Sequence, residues 1–157
     1  MDKVTPFLWF RNTADQAARF YTSLFPDSEI ENIIPGPDGA AFIVDFTIMG
    51  RPYTAMNGGS TYALTPAFSM YVSCKDQAET DFYWHALTSN GGRESRCGWC
   101  IDRFGMSWQV VPMRLTELMS LPDREASGRA REAMLTMNKI DIDAMEAAAF
   151  SSMGGLK

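Results

Sequence analysis

The sequence predicts an α+β protein built from two tandem βαβββ modules and a C-terminal helical extension. Three observations predict it. The order of strand-like and helix-like segments over residues 1–60 recurs over residues 64–112. Each copy carries a helix-start signature at the matching place, Thr13-Ala14-Asp15-Gln16 and Asp76-Gln77-Ala78-Glu79. From Thr116 onward the apolar periodicity is purely helical.

The elements follow in order. Val4 to Phe10 is mostly β-formers and aromatics, which predicts a strand. Thr13 then offers a side-chain acceptor to the N–H of Gln16, and Gln16 reaches back, a capping box. Ala14, Ala17, Ala18, Tyr21 and Leu24 recur at helical spacing. Phe25-Pro26 ends that helix, because a residue before proline avoids the α region. Ser28 to Ile34 reads as a strand, and Pro35-Gly36-Pro37-Asp38-Gly39 as a turn. Ala40 to Met49 and Arg51 to Asn57 read as a hairpin about Gly50. In the second copy Ala67 to Cys74 is a strand, and Asp76 caps a helix on which Tyr83, Trp84 and Leu87 stand 63 residues after Phe20, Tyr21 and Leu24. Asn90-Gly91-Gly92 stops that helix. Arg93 to Cys97, Gly98 to Arg103 and Ser107 to Val111 complete the strands, with Gly105 in the role of Gly50.

One βαβββ unit has a helix on one sheet face and leaves the other face concave. Two units side by side are expected to share that concave space as a pocket. The extension divides into helices over Thr116–Leu121, Asp123–Thr136 and Ile140–Phe150, spanning residues 113–150. Its apolar stripe, Ala133, Met134, Met137, Ile140, Ile142 and Met145, fits packing on the protein's own sheet or on a dimer mate. Ser151 to Lys157 is expected to fray.

Length and composition bound the function. The 157 residues make one domain of ordinary size, 46% hydrophobic and 21% charged, so an extended disordered state is not expected. The formal net charge is -5 and the cations are scattered, which argues against nucleic acid and anionic membranes as partners. No segment approaches the ~20 apolar residues of a membrane helix. Residues Met1 to Pro6 lack a charged region followed by an apolar one, so no export signal is expected. Three cysteines without such a signal fit a reducing, cytoplasmic setting.

Four stretches carry a family resemblance. They are Pro6-Phe7-Leu8-Trp9-Phe10; Phe20 to Ser28; Cys97-Gly98-Trp99 with Phe104 to Pro112; and Ala133 to Met137 with Lys139-Ile140-Asp141-Ile142. On these stretches the chain resembles the PhnB-like family, also described as a 3-demethylubiquinone-9 3-methyltransferase domain, within the vicinal oxygen chelate superfamily. The resemblance implies the paired βαβββ glyoxalase/bleomycin-resistance fold and a homodimer. Methyl transfer by a Rossmann-type site is disfavoured by the residues themselves. That site needs a Gly-rich turn between the first strand and helix, whereas Arg11-Asn12-Thr13 has no glycine.

Metal-dependent members of the superfamily take ligands from four inner strand positions, two per half. The repeat places these at Pro6, Ser69, Thr54 and Gln109, and a one-residue slip substitutes Phe7, Met70, Ala55 or Trp108. Transition ions need several imidazole, carboxylate or thiolate donors, so no metal and no other cofactor is expected. The single histidine, His85, is expected on a helix surface or interface. Cys97-Gly98-Trp99-Cys100 precedes a strand rather than opening a helix, and it reads as structural thiols or a reversible disulfide. Cys74 leaves a zinc set one ligand short.

The expected pocket face carries Leu8, Phe10, Thr54, Met56, Ser69, Tyr71, Ser107 and Gln109, with Trp9, Trp99 and Trp108 as aromatic surface. Apolar walls with a few polar groups fit a small molecule. Asp45 and Asp102 are expected as solvated charges at strand ends. The expected function is metal-free binding of a small molecule. The alternatives are an enzyme on a small aromatic or oxygenated substrate, and a structural dimer whose pocket has closed.

Overall fold

A computed structural model describes residues 3–151. The chain divides into two compact units, residues 1–65 and 66–157. The expected fraying beyond Ser151 lies outside the described residues.

In the first unit the strands are β1 (Phe7–Phe10), β2 (Glu29–Pro35), β3 (Ala41–Ile48) and β4 (Arg51–Asn57), with helix α1 (Ala14–Leu24) after β1. The sheet order is β1-β4-β3-β2, with β1 parallel to β4 and the other pairs antiparallel. Met49 and Gly50, both at positive φ, make the two-residue turn between β3 and β4 that was expected around Gly50. Ala14, Ala17 and Ala18 are buried, and their small side chains bring α1 close to the sheet. Tyr21 and Phe46 pack with ring centroids 6.4 Å apart, and Phe46 stacks on Tyr53 at 5.6 Å.

The expected capping box of α1 does not form. Thr13 makes no side-chain cap bond, and its ψ of 16° is not the extended conformation that capping usually takes. Asn57, at the end of β4, supplies the acceptor instead. Its Oδ1 accepts from the N–H of Ala14 at 2.8 Å, and its Nδ2 donates to the carbonyl of Ala41 at 3.0 Å. A non-local side chain thus satisfies the first helical donor and ties the helix to the sheet.

The second unit repeats the order with β5 (Ser69–Cys74), α2 (Gln77–Thr88), β6 (Arg93–Glu94), β7 (Trp99–Ile101) and β8 (Ser107–Pro112). Its sheet runs β5-β8-β7-β6 with β5 parallel to β8, the same topology as the first. Here the predicted cap does form: Asp76 Oδ1 accepts from Glu79 N–H at 2.9 Å, and Glu79 Oε2 accepts from Lys75 N–H at 2.6 Å. The strands expected over 93–97 and 98–103 are shorter. Cys97 and Gly98 have φ of 58° and 83°, and Trp99 N–H donates to Arg96 O at 3.0 Å, a tight turn that a strand cannot contain.

The extension forms α3 (Met113–Met119), α4 (Arg124–Leu135) and α5 (Ile142–Phe150). Helix α3 starts directly from β8, three residues before the expected Thr116. Leu118, Ala130, Ile140, Met145 and Ala149 make a small core of their own, flanked by Leu115, Met134 and Met137. Arg129 donates to the carbonyls of Ala148 and Ala149 at 3.0 and 2.7 Å, closing the exposed end of α5. The connection between α4 and α5 is fastened to its own module. Gln77 donates to Ile140 O and accepts from Ile142 N–H, and Lys139 pairs with Asp81 at 2.8 Å. Met137 O and Asn138 O accept from the N–H groups of Cys97 and Gly98, each at 2.8 Å.

Candidate functional site

Strand alternation sorts the residues of each sheet onto two faces. In β1, Leu8 and Phe10 are 4% and 2% exposed and lie with Val44, Phe46 and Ala55 in the core under α1. Both were expected on the pocket face; they stand in the core instead. The open face of the first sheet carries Phe7 and Trp9 opposite Thr54 and Met56. Trp108 needs the same correction. It is 1% exposed on the helix side of the second sheet, opposite Met70 and Cys100. Ser69, Tyr71, Ser107, Gln109 and Trp99 share the open face of that sheet through the pairs Ser69–Ser107, Tyr71–Gln109 and Trp99–Gln109.

Trp9 is half-buried rather than a free stacking surface. Its indole N–H donates to Gly59 O at 2.9 Å, its ring meets Tyr62 edge-on at 5.1 Å, and it leaves no space for a Cβ on Gly58.

The first sheet's open face holds a hollow of about 520 Å³ lined by Thr5, Glu31, Asn32, Asp45, Thr47 and Thr54, among others. The Thr54 hydroxyl donates to Asp45 Oδ1 at 2.7 Å, so this polar pair is already satisfied. The four ligand positions that the sequence resemblance implies do not fit a transition metal. Phe7, not Pro6, stands in register with Thr54, because Pro6 precedes the strand. Gln109 Nε2 donates to Ser69 Oγ at 2.9 Å. Hydroxyls, an amide and one neighbouring carboxylate lack the donors such ions require. Among the described residues no group of three His, Cys, Asp or Glu converges.

A second hollow, about 380 Å³, lies within the second unit. Pro66, Ser95, Arg96, Cys97, Trp99, Cys100, Ile101 and Ser107 line it. The turn at Cys97 and Gly98 aligns this wall, since it separates β6 from β7 and carries Arg96 and Cys97 outward. Ser107 is 2% exposed, and its Oγ has no hydrogen-bond partner. A buried hydroxyl left unpaired costs about 1–3 kcal/mol, so its persistence in the wall of a hollow marks a place where an incoming group has something to gain. Ser107 and Trp99 are the two lining residues already expected on a pocket face from the sequence. Arg96 and Ile101 stand beside them because a turn interrupts the stretch 93–103 that the sequence marks as two strands, and Pro66 comes from the segment before β5. The Cys-Gly pair was the available signal for that turn.

The thiols differ in environment. Burial pushes the Cys100 thiol up to about 12, with the negative charges of Asp102 and Glu94 adding to it. Burial also raises Cys74 to about 11, partly offset by a hydrogen bond with Thr80. Cys97 is only half-buried and lines the hollow. All three are free, and the alternation of the strand leaves Cys100 on the helix side. Asp102, expected as a solvated charge, is buried instead. Its Oδ1 accepts from Phe104 and Met106 N–H, and its Oδ2 accepts from Trp108 Nε1–H. Asp45 is part-buried in the first hollow, and His85 is exposed on α2.

The family model described as 3-demethylubiquinone-9 3-methyltransferase matches residues 2–111. Among solved structures, a putative 3-demethylubiquinone-9 3-methyltransferase, PhnB protein, from Bacillus cereus is 31% identical, with a TM-score of 0.65. That likeness covers 71% of this chain and 99% of the other. Protein PA1353 from Pseudomonas aeruginosa is 16% identical at a TM-score of 0.59, over 71% and 98% of the two chains. A glyoxalase/bleomycin resistance protein from Albidiferax ferrireducens is 12% identical at 0.45, over 68% and 95%. No curated protein matches the sequence. The family match stops before α3, so the stretch from Ala133 to Ile142 lies outside it.

Proposed function

The chain belongs to the 3-demethylubiquinone-9 3-methyltransferase (PhnB-like) family, and from that premise we propose that it is a small-molecule-binding protein that works without a metal. The observation that carries this reading is the unpartnered Ser107 hydroxyl in the wall of the 380 Å³ hollow. The volume falls in the range of ~300–1,000 Å³ that small-molecule sites occupy, and the walls combine apolar surface with a few polar groups. Neutral side chains at the superfamily ligand positions support binding without an ion. The turn between β1 and α1, Arg11-Asn12-Thr13, has no glycine to approach a nucleotide, which disfavours methyl transfer by a Rossmann-type site and supports the binding reading over it.

The same reading takes the protein as a cytoplasmic homodimer. Three free thiols fit a reducing compartment, and no helix among the described residues is long and apolar enough to cross a membrane.

A fragment screen by protein-observed NMR and thermal shift tests the proposal. A binding compound shifts the amide resonances of Trp99, Ile101 and Ser107 and raises the melting temperature. A diverse library that leaves those amides unmoved overturns it.

A further inference from the structure

We propose that the hollow in the second unit selects small planar aromatic anions, carboxylates above all, that carry a second hydrogen-bonding substituent. The inference rests on the binding role proposed above and adds the chemistry of the ligand.

Three features of the lining converge on this class. Trp99, half-buried on the open face, offers an indole surface, with Pro66 and Ile101 as further apolar walls. A flat ring gains offset or edge contacts there that an aliphatic chain does not. Arg96 is the one ionised side chain in the lining, and no aspartate or glutamate lines the hollow. Among the described residues Arg96 takes part in no salt bridge. Its planar fork matches a carboxylate in two parallel bonds. An amine would meet that charge unfavourably, and a neutral ligand would gain less from it. The Ser107 hydroxyl completes the set. It is unpartnered and can donate or accept, so it suits a phenol, carbonyl or ether on the far side of the ring from solvent.

Size sets the limit. At about 380 Å³ the hollow sits near the lower end of small-molecule sites, enough for a single ring with short substituents. The polar hollow of the first unit has the opposite character, with Glu31 and Asp45 in its wall, and its hydroxyl at Thr54 is already paired.

The test titrates the full chain with benzoate, salicylate, neutral benzamide and cationic benzylamine, and follows backbone amides by NMR. Benzoate and salicylate are expected to shift Trp99, Ile101 and Ser107 saturably. Benzamide should bind at least about tenfold more weakly and benzylamine more weakly still. Arg96→Gln, on an exposed turn, should weaken benzoate at least about tenfold, down to the level of benzamide, and weaken benzamide far less. Ser107→Ala should weaken salicylate by roughly five- to tenfold, in keeping with one lost hydrogen bond. Benzamide or benzylamine binding as tightly as benzoate overturns the charge selection and leaves the hollow a binding site. Silence at those amides with all four probes overturns the aromatic-anion selection, and the fragment screen separately decides the binding role.

Discussion

Asp102 accepts the indole N–H of Trp108 at 2.9 Å through one carboxylate oxygen, while the other gathers the backbone N–H groups of Phe104 and Met106 at 2.8 and 3.1 Å. The pair fixes the turn between β7 and β8 from inside the core. Asp102→Ala leaves three donors without this acceptor. At about 1–3 kcal/mol for each buried unpaired group, a loss of at least ~3 kcal/mol is expected. Asp102→Asn keeps one acceptor oxygen and should fall between. Urea unfolding of the two variants, followed by tryptophan fluorescence, checks the order.

Asn57 predicts a smaller effect at the other module. Asn57→Ala removes the acceptor of Ala14 N–H and the donor to Ala41 O together. Losing a helix cap costs about 0.5–2 kcal/mol. Thr13→Ala, by contrast, should change stability by less than ~0.5 kcal/mol, because its side chain makes no cap bond. Equal losses in the two variants by chemical denaturation would contradict the assignment.

The turn that lines the hollow should resist change. Gly98 has φ of 83°, and a Cβ there would lie 2.9 Å from Val110 O and 3.2 Å from Ile140. The left-handed conformation alone costs a non-glycine residue roughly 1–2 kcal/mol, and the contacts add to it. Gly98→Ala is therefore expected to lose more than ~1 kcal/mol. Ile140→Ala, which empties a fully buried site, should lose about 2–5 kcal/mol. Thermal unfolding of both variants measures these.

The cysteines should separate cleanly in a labelling experiment. With thiols raised to about 11 and about 12, Cys74 and Cys100 carry roughly one part in a thousand and in ten thousand of thiolate at pH 8, and both are buried. One equivalent of alkylating reagent should go on quickly, and peptide mapping should find it on Cys97. A bound ligand in the hollow should slow that reaction.

The same shifts set a pH dependence. Both folded thiols titrate above their ordinary value of 9.0, so folding favours the protonated form. Their contribution is fully present below pH ~9 and is lost as pH rises toward 11–12. Burial shifts Tyr53 and Tyr83 in the same direction. Stability measured by urea from pH 8 to 11 should decline, and Cys100→Ala should flatten the decline. An unchanged slope in that variant would rule out Cys100 as a contributor.

The architecture was legible because two signals repeat at one spacing, the helix starts and the aromatic pairs of Tyr21 and Trp84. The faces of the strands were not. Phe7-Leu8-Trp9-Phe10 is apolar at every position, so no alternation marks which residues meet α1, and a one-residue slip exchanges core for open face. The sequence-based choice of Leu8 and Phe10 for the pocket failed on that point. In β8 the polar residues Ser107 and Gln109 alternate with the buried Trp108 and Val110, so the two faces can be told apart in the sequence. The cap of α1 was hidden for a different reason. Its acceptor, Asn57, lies 43 residues away from the donor, beyond any local pattern. Asp102 looked solvated because its partners, two turn amides and an indole, are gathered only once the chain has folded.

Met137 and Asn138 hold the Cys97–Gly98 turn by two carbonyl contacts, yet both residues come after the span that this chain shares with its relatives. The extension therefore braces the turn that lines the hollow of the second unit from outside the shared span. A substitution there can reshape the wall of the hollow without altering any residue that lines it from β7 or β8.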